Sequence, residues 1–104
     1  MTKVRFAEPA EYDLVAIEHY IQAELCNPTS AERIIKGIID VSYSLAKFPK
    51  RHSFVNDDFL ARLGIRLTMF ESYNIFYVYD EKNDIVYIIR VLYERQDWKN
   101  VLRP

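Results

Sequence analysis

IVYIIRVLYERQD, residues Ile85 to Asp97, is the most informative stretch of this chain. Ile85 to Val91 is almost continuously β-branched or aromatic, the composition of a strand buried on both faces. Arg90 interrupts that run near its end, and Tyr93, Glu94, Arg95, Gln96 and Asp97 follow directly. A guanidinium on a core strand is costly unless it reaches a carboxylate, a cavity or an anionic partner. The sequence therefore reads as a small sheet built to present the end of this strand.

Working outward, two further strands precede it, at Ile65 to Phe70 and Tyr73 to Asp80. The short break Glu71-Ser72 and the polar turn Glu81-Lys82-Asn83-Asp84 make both connections antiparallel hairpins. Lys50 to Gly64 has no clear period and reads as a long ordered loop, with Phe54, Val55, Phe59 and Leu60 to dock it on the core. Earlier still, Ala31, Ile34, Ile35, Ile38, Ile39, Ser42 and Leu45 mark one face of a helix running from Pro28 to Phe48. Gly37 lies inside that helix, where a close packing contact would explain it. Asn27-Pro28 starts the helix as N-cap and first-turn proline.

A first helix, from about Pro9 to Leu25, carries Ala10, Leu14, Ile17, Ile21 and Leu25 at helical spacing, with Glu11, Asp13, Glu18, Gln22 and Glu24 for the wet side. Lys3 to Ala7 alternates as a first strand. The predicted order is β-α-α-β-β-β, an α+β fold with a helical hairpin on one face of a mainly antiparallel sheet. The opposite face is then exposed or reserved for a partner.

The 104 residues suit one domain spanning 1–104, and 50% hydrophobic content with two glycines excludes disordered and fibrous classes. The lone Cys26 allows no internal disulfide, and no metal-ligand spacing or glycine-rich phosphate loop is present, so no cofactor or metal is expected. Neither a signal peptide nor a membrane-length apolar run is seen, and a cytoplasmic setting is the expectation. Net charge is −1, which argues against a generic nucleic-acid coat. Charge is nonetheless uneven, with four Lys/Arg against seven Asp/Glu up to Ala46 and ten against eight afterwards.

Arg66 and Arg90 are the first candidates for chemistry. Placed on strands of one sheet, they are expected to converge on one face, where planar guanidiniums bind phosphate oxygens in pairs. Pairing with Glu71, Asp80, Glu94 or Asp97 is the structural alternative. Tyr93 is a candidate for proton transfer or base stacking. It stands three residues from Arg90, which on a regular strand puts the two on opposite faces. Arg62, Lys50, Arg51 and His52 offer a positive rim, which a solvated loop explains equally well.

Several segments together resemble the RelE/ParE superfamily of toxins from type II toxin–antitoxin modules, the plasmid stabilisation family. They are A-x-x-D-L-V-A-I-E-H-Y-I at Ala10 to Ile21, Asn27-Pro28-x-x-Ala31, Leu45-x-x-Phe48-Pro49, Gly64-Ile65-Arg66, Tyr73-Asn74-Ile75-Phe76-Tyr77, and Ile89-Arg90-Val91-Leu92-Tyr93-x-Arg95-Gln96-Asp97. The resemblance implies the fold above and a small antitoxin partner in a hetero-oligomer.

For function, the resemblance implies a metal-independent, ribosome-dependent mRNA endoribonuclease, with Arg66 and Arg90 stabilising the scissile phosphate and Tyr93, or less directly Glu94, assisting proton transfer. Lys50, Arg51, Arg62 and Arg95 would hold the substrate. The alternatives are a ParE-like DNA gyrase inhibitor without hydrolysis, or a non-toxic binding module. Two departures from the nuclease pattern stand out: no lysine between Lys50 and Lys82, and no histidine after His52.

Overall fold

Asn27 and Pro28 divide the helical half as their chemistry requires. The Ser30 N–H donates to Asn27 Oδ1 at 3.1 Å, and Pro28 opens the second helix at a position needing no donor. In the computed structural model, which describes residues 1–104, the elements follow in this order: β1 (Lys3–Phe6), α1 (Glu8–Ala23), α2 (Pro28–Ser44), α3 (Asp58–Arg62), β2 (Arg66–Phe70), β3 (Tyr73–Asp80), β4 (Ile85–Tyr93) and α4 (Trp98–Leu102). The predicted α+β arrangement holds, with the helical hairpin on one sheet face. Two short helices, α3 and α4, are additions to it.

The sheet order is β1-β4-β3-β2. Strands β2, β3 and β4 form the antiparallel meander, and β1 lies parallel to β4 at the edge. The stretch rich in β-branched residues is thus an inner strand, as its composition requires. On the helical side, Ala10, Ile21, Ala31, Ile34, Ile38 and Leu45 close on Ile75, Tyr77, Val86, Ile88 and Val91. Gly37 is explained by the strand side of this core: a Cβ there would stand 2.1 Å from Phe70 Cζ.

The opposite face is covered, contrary to expectation. Val55, Leu60 and Ile65 bury Phe76 and Leu92, with Trp98 and Leu102 packed alongside. The Trp98 and Phe76 ring centroids are 5.4 Å apart. The segment read as a long ordered loop docks through Val55 and Leu60 and also forms a short helix, nucleated by Asp57, whose carboxylate accepts the Leu60 N–H at 3.1 Å. Gly64, at φ 84°, ends α3 and turns the chain into β2. Arg103 clips the tail down by bonding Asp57 at 2.7 Å and lying over Phe59. No helix is long and apolar enough to cross a membrane.

Candidate functional site

A β-bulge in β4 immediately precedes one of the two candidate arginines. Tyr77 pairs with Ile88, but its neighbour Phe76 pairs with Arg90, leaving Ile89 as an extra residue in β4. Cross-strand partners share a face. Arg66 pairs with Tyr77, which lies in the helical-side core, whereas Arg90 pairs with Phe76, which lies in the opposite core. The two guanidiniums end at separate partners, Arg90 at Asp13 of α1 and Arg66 at the carbonyls of Lys50 and His52, and the expected convergence does not form.

Each guanidinium has its own internal partner. Arg90 makes a two-pronged bond to Asp13 of α1, with Nε and one terminal nitrogen each 2.8 Å from a carboxylate oxygen. The same carboxylate accepts the Val91 N–H at 2.9 Å. Strand β1 ends opposite Ile88, so Asp13 satisfies the edge of β4 where its neighbour has run out. The side chains of Arg90 and Asp13 are only 29% and 13% exposed. Hydrogen bonding to Asp13 raises the Arg90 pKa further, against the opposing effect of burial. Asp13, assigned from periodicity to the wet side of α1, is thus the partner that the sequence demanded for Arg90.

Arg66 donates to the carbonyls of His52 at 2.6 Å and Lys50 at 3.3 Å. Its guanidinium also lies 4.0 Å over the Phe54 ring. Lys50 and Arg51 share this end of the molecule, lining a cleft of about 550 Å³ beside Lys47, Phe48, Pro49, Tyr79 and Glu81. Lys50 is paired with Glu81, and Arg51 caps the end of α2 by donating to the Ser44 carbonyl at 2.8 Å. Burial, then the charge of Arg51, lowers the pKa of His52. Arg62 stands apart, donating to the Asp58 carbonyl at 3.2 Å.

Tyr93 lies elsewhere again. It is 42% exposed and meets Tyr73 edge-on, with ring centroids 5.8 Å apart. With Ile17, Tyr20, Leu25 and Gln96 these tyrosines line an apolar groove of about 560 Å³ that contains no charged side chain. Burial, then the neighbouring Tyr93 and Tyr20, raises the pKa of Tyr73. The bulge precedes Arg90 rather than falling between it and Tyr93; Arg90 is held at Asp13 of α1, while Tyr93 lines the groove beside Ile17 and Tyr20 of the same helix. Glu94 and Arg95 are exposed in the turn after β4. The structure thus groups Lys50, Arg51 and Arg66 at one end and leaves Arg62, Arg90, Tyr93 and Arg95 separate. Asp13, Phe54 and Tyr73 were not singled out from sequence; only the need of Arg90 for a carboxylate pointed toward the first.

The family model of the ParE toxin of type II toxin–antitoxin system, parDE, matches residues 4–98. The chain belongs to the ParE toxin family. Among solved structures, it is similar to the chromosomal ParDE toxin–antitoxin system from P. aeruginosa, with TM-score 0.70 and 19% identity over 89% of this chain and 96% of that one. It is also similar to the toxin–antitoxin complex RelBE2 from Mycobacterium tuberculosis, with TM-score 0.67 and 20% identity over 91% of this chain and 93% of that one. At these identities the likeness carries the fold alone. No curated protein matches the chain significantly. As a member of the ParE family, the protein is the toxin of a type II toxin–antitoxin system.

Proposed function

We propose that this ParE-family toxin acts by binding, as a ParE-like inhibitor of DNA gyrase without hydrolytic chemistry, and that a cognate antitoxin restrains it in a hetero-oligomer. The observation that supports this reading is the dispersal of the cutting residues. Arg66 and Arg90 are each held by their own internal partners, and Tyr93 lies in a groove free of acids, bases and cations. A phosphoryl-transfer site needs donors aimed at one developing charge and a proton-transfer group within hydrogen-bond reach. That constellation is not assembled here.

One observation favours the second reading, ribosome-dependent mRNA cleavage. Arg66 stacked on Phe54, with Lys50 and Arg51 close by, makes a basic, aromatic end of a kind that nucleic acid uses. Purified toxin added in parallel to a gyrase supercoiling assay and to programmed ribosomes separates the two. Inhibited supercoiling with intact mRNA is the expected result. Cuts within codons, with gyrase unaffected at saturating toxin, would overturn the proposal. Inertness in both assays would point to a binding module that keeps only the fold.

A further inference from the structure

Two recesses at the basic end of the molecule share a wall. The larger, of about 550 Å³, lies beside Lys47, Phe48 and Arg51, and the smaller, of about 270 Å³, beside Phe54 and Arg66. Lys50, Tyr79 and Glu81 line both, so the Lys50–Glu81 ion pair stands at the division between them. Four cations thus surround a single carboxylate.

Glu81 is the one acid of the β3–β4 turn that does not hold the turn together. Asp80 accepts from Asn83 twice, from its backbone N–H at 3.2 Å and its side-chain amide at 2.7 Å. Asp84, at φ 56°, accepts from the hydroxyls of Thr2 at 2.6 Å and Tyr79 at 2.7 Å. Glu81 instead reaches across to Lys50, and the two side chains are 62% and 57% exposed. So exposed a pair is weak, and the lysine changes partner at small cost. The turn is a fixed frame carrying one movable carboxylate among cations.

What replaces that carboxylate follows from the cations left free. Arg51 already donates to the Ser44 carbonyl, and Arg66 to those of His52 and Lys50 with its guanidinium over Phe54. Lys47 is exposed with no ion-pair partner. The exchangeable charges are therefore ammonium groups, point charges that take a carboxylate without the fork geometry suited to phosphate. A chain of net charge −1 also lacks the positive excess of a nucleic-acid binder. Phe48, 66% exposed beside Pro49, adds an apolar contact next to the charges.

We infer that this trough receives an acidic segment of a protein target, and that Glu81 is a built-in place-holder which the target's carboxylate displaces from Lys50. The inference rests on the reading of the toxin as one that acts by binding a protein.

The test uses the full chain and three fluorescent probes: a short peptide of Glu and Ser around one Leu, its twin with Gln for Glu, and an oligothymidylate of equal length. At low salt, anisotropy should show the acidic peptide binding and the Gln twin not. Glu81→Gln should tighten that binding about threefold, and Lys50→Gln should weaken it by about as much. In the Lys50→Gln background, Glu81→Gln should give no gain, because the two carboxylates compete for one ammonium. A gain that persists there, or no gain in the wild-type background, would overturn the place-holder. No binding of the acidic peptide, equal binding of its Gln twin, or preference for the oligonucleotide would overturn the trough as a protein site. Lys50→Gln toxin should also need about threefold more protein to inhibit supercoiling, and unchanged potency would count against the inference. If the wild-type toxin leaves gyrase untouched, the gyrase reading fails alone, and the peptide titrations still decide the trough.

Discussion

Asp13 concentrates more of this protein's architecture than any other polar side chain. One carboxylate holds the Arg90 fork and the Val91 N–H, joining α1 to the unpaired edge of β4. Removing one partner leaves the other desolvated without compensation, so Asp13→Asn and Arg90→Ala should each cost about 1–3 kcal/mol in urea unfolding. The double variant should lose less than the two losses added together, because both single changes break the same contact. A second carboxylate gives a pH signature. The Leu60 N–H, and then Arg103 acting against burial, hold Asp57 below the ordinary value of 3.8. A depressed carboxylate contributes stability above its unfolded pKa, and that contribution is lost as pH falls through the lower folded value. Acid titration of stability should therefore be shallower below pH 3.8 in Asp57→Asn than in the wild type. At this scale sequence exposed the demand but not its answer. Arg90 on a core strand called for a counter-charge, yet the one that meets it lies 77 positions away on a helix, at a position that itself read as solvent-facing.

At the scale of elements, β3 and β4 have the bounds that their composition implied, because long runs of β-branched and aromatic residues end at sharp polar turns. The five-residue helices α3 and α4 were not foreseen, since so short a segment has no periodicity to read. The bulge at Ile89 was equally hidden, since no glycine marks it. Gly37 yields a test of helix against sheet. Alanine there gains about 1 kcal/mol of helix propensity but must displace the Phe70 ring, so Gly37→Ala should be destabilising overall. Phe70→Leu should recover part of that loss in thermal melts, since the ring is what the new methyl meets. Trp98→Ala should lower stability by about 1–3 kcal/mol, because it uncovers Phe76 and loosens α4. Its effect should also appear as faster amide exchange across α4 than across α2.

For the molecule as a whole, two cores share one sheet, and β4, which with β3 contributes to both, is the last strand to be made. Strand β4 lies between β3 and β1, and β1 comes from the first residues of the chain. Sheet assembly is thus governed by a pairing between residues 3–6 and 85–88, the kind of distant closure that folds late. A chain stopped at Asp84 lacks the inner strand and both partners of the Asp13 clamp, and should show neither a cooperative melt nor dispersed amide resonances. This has a consequence for synthesis. Until β4 has left the ribosome, the emerging chain has its helices and the β2–β3 hairpin but cannot form the four-stranded sheet. An aborted transcript or a stalled ribosome then releases a chain that cannot close its sheet, and the fold is completed only when the final strand emerges and the first pairs with it.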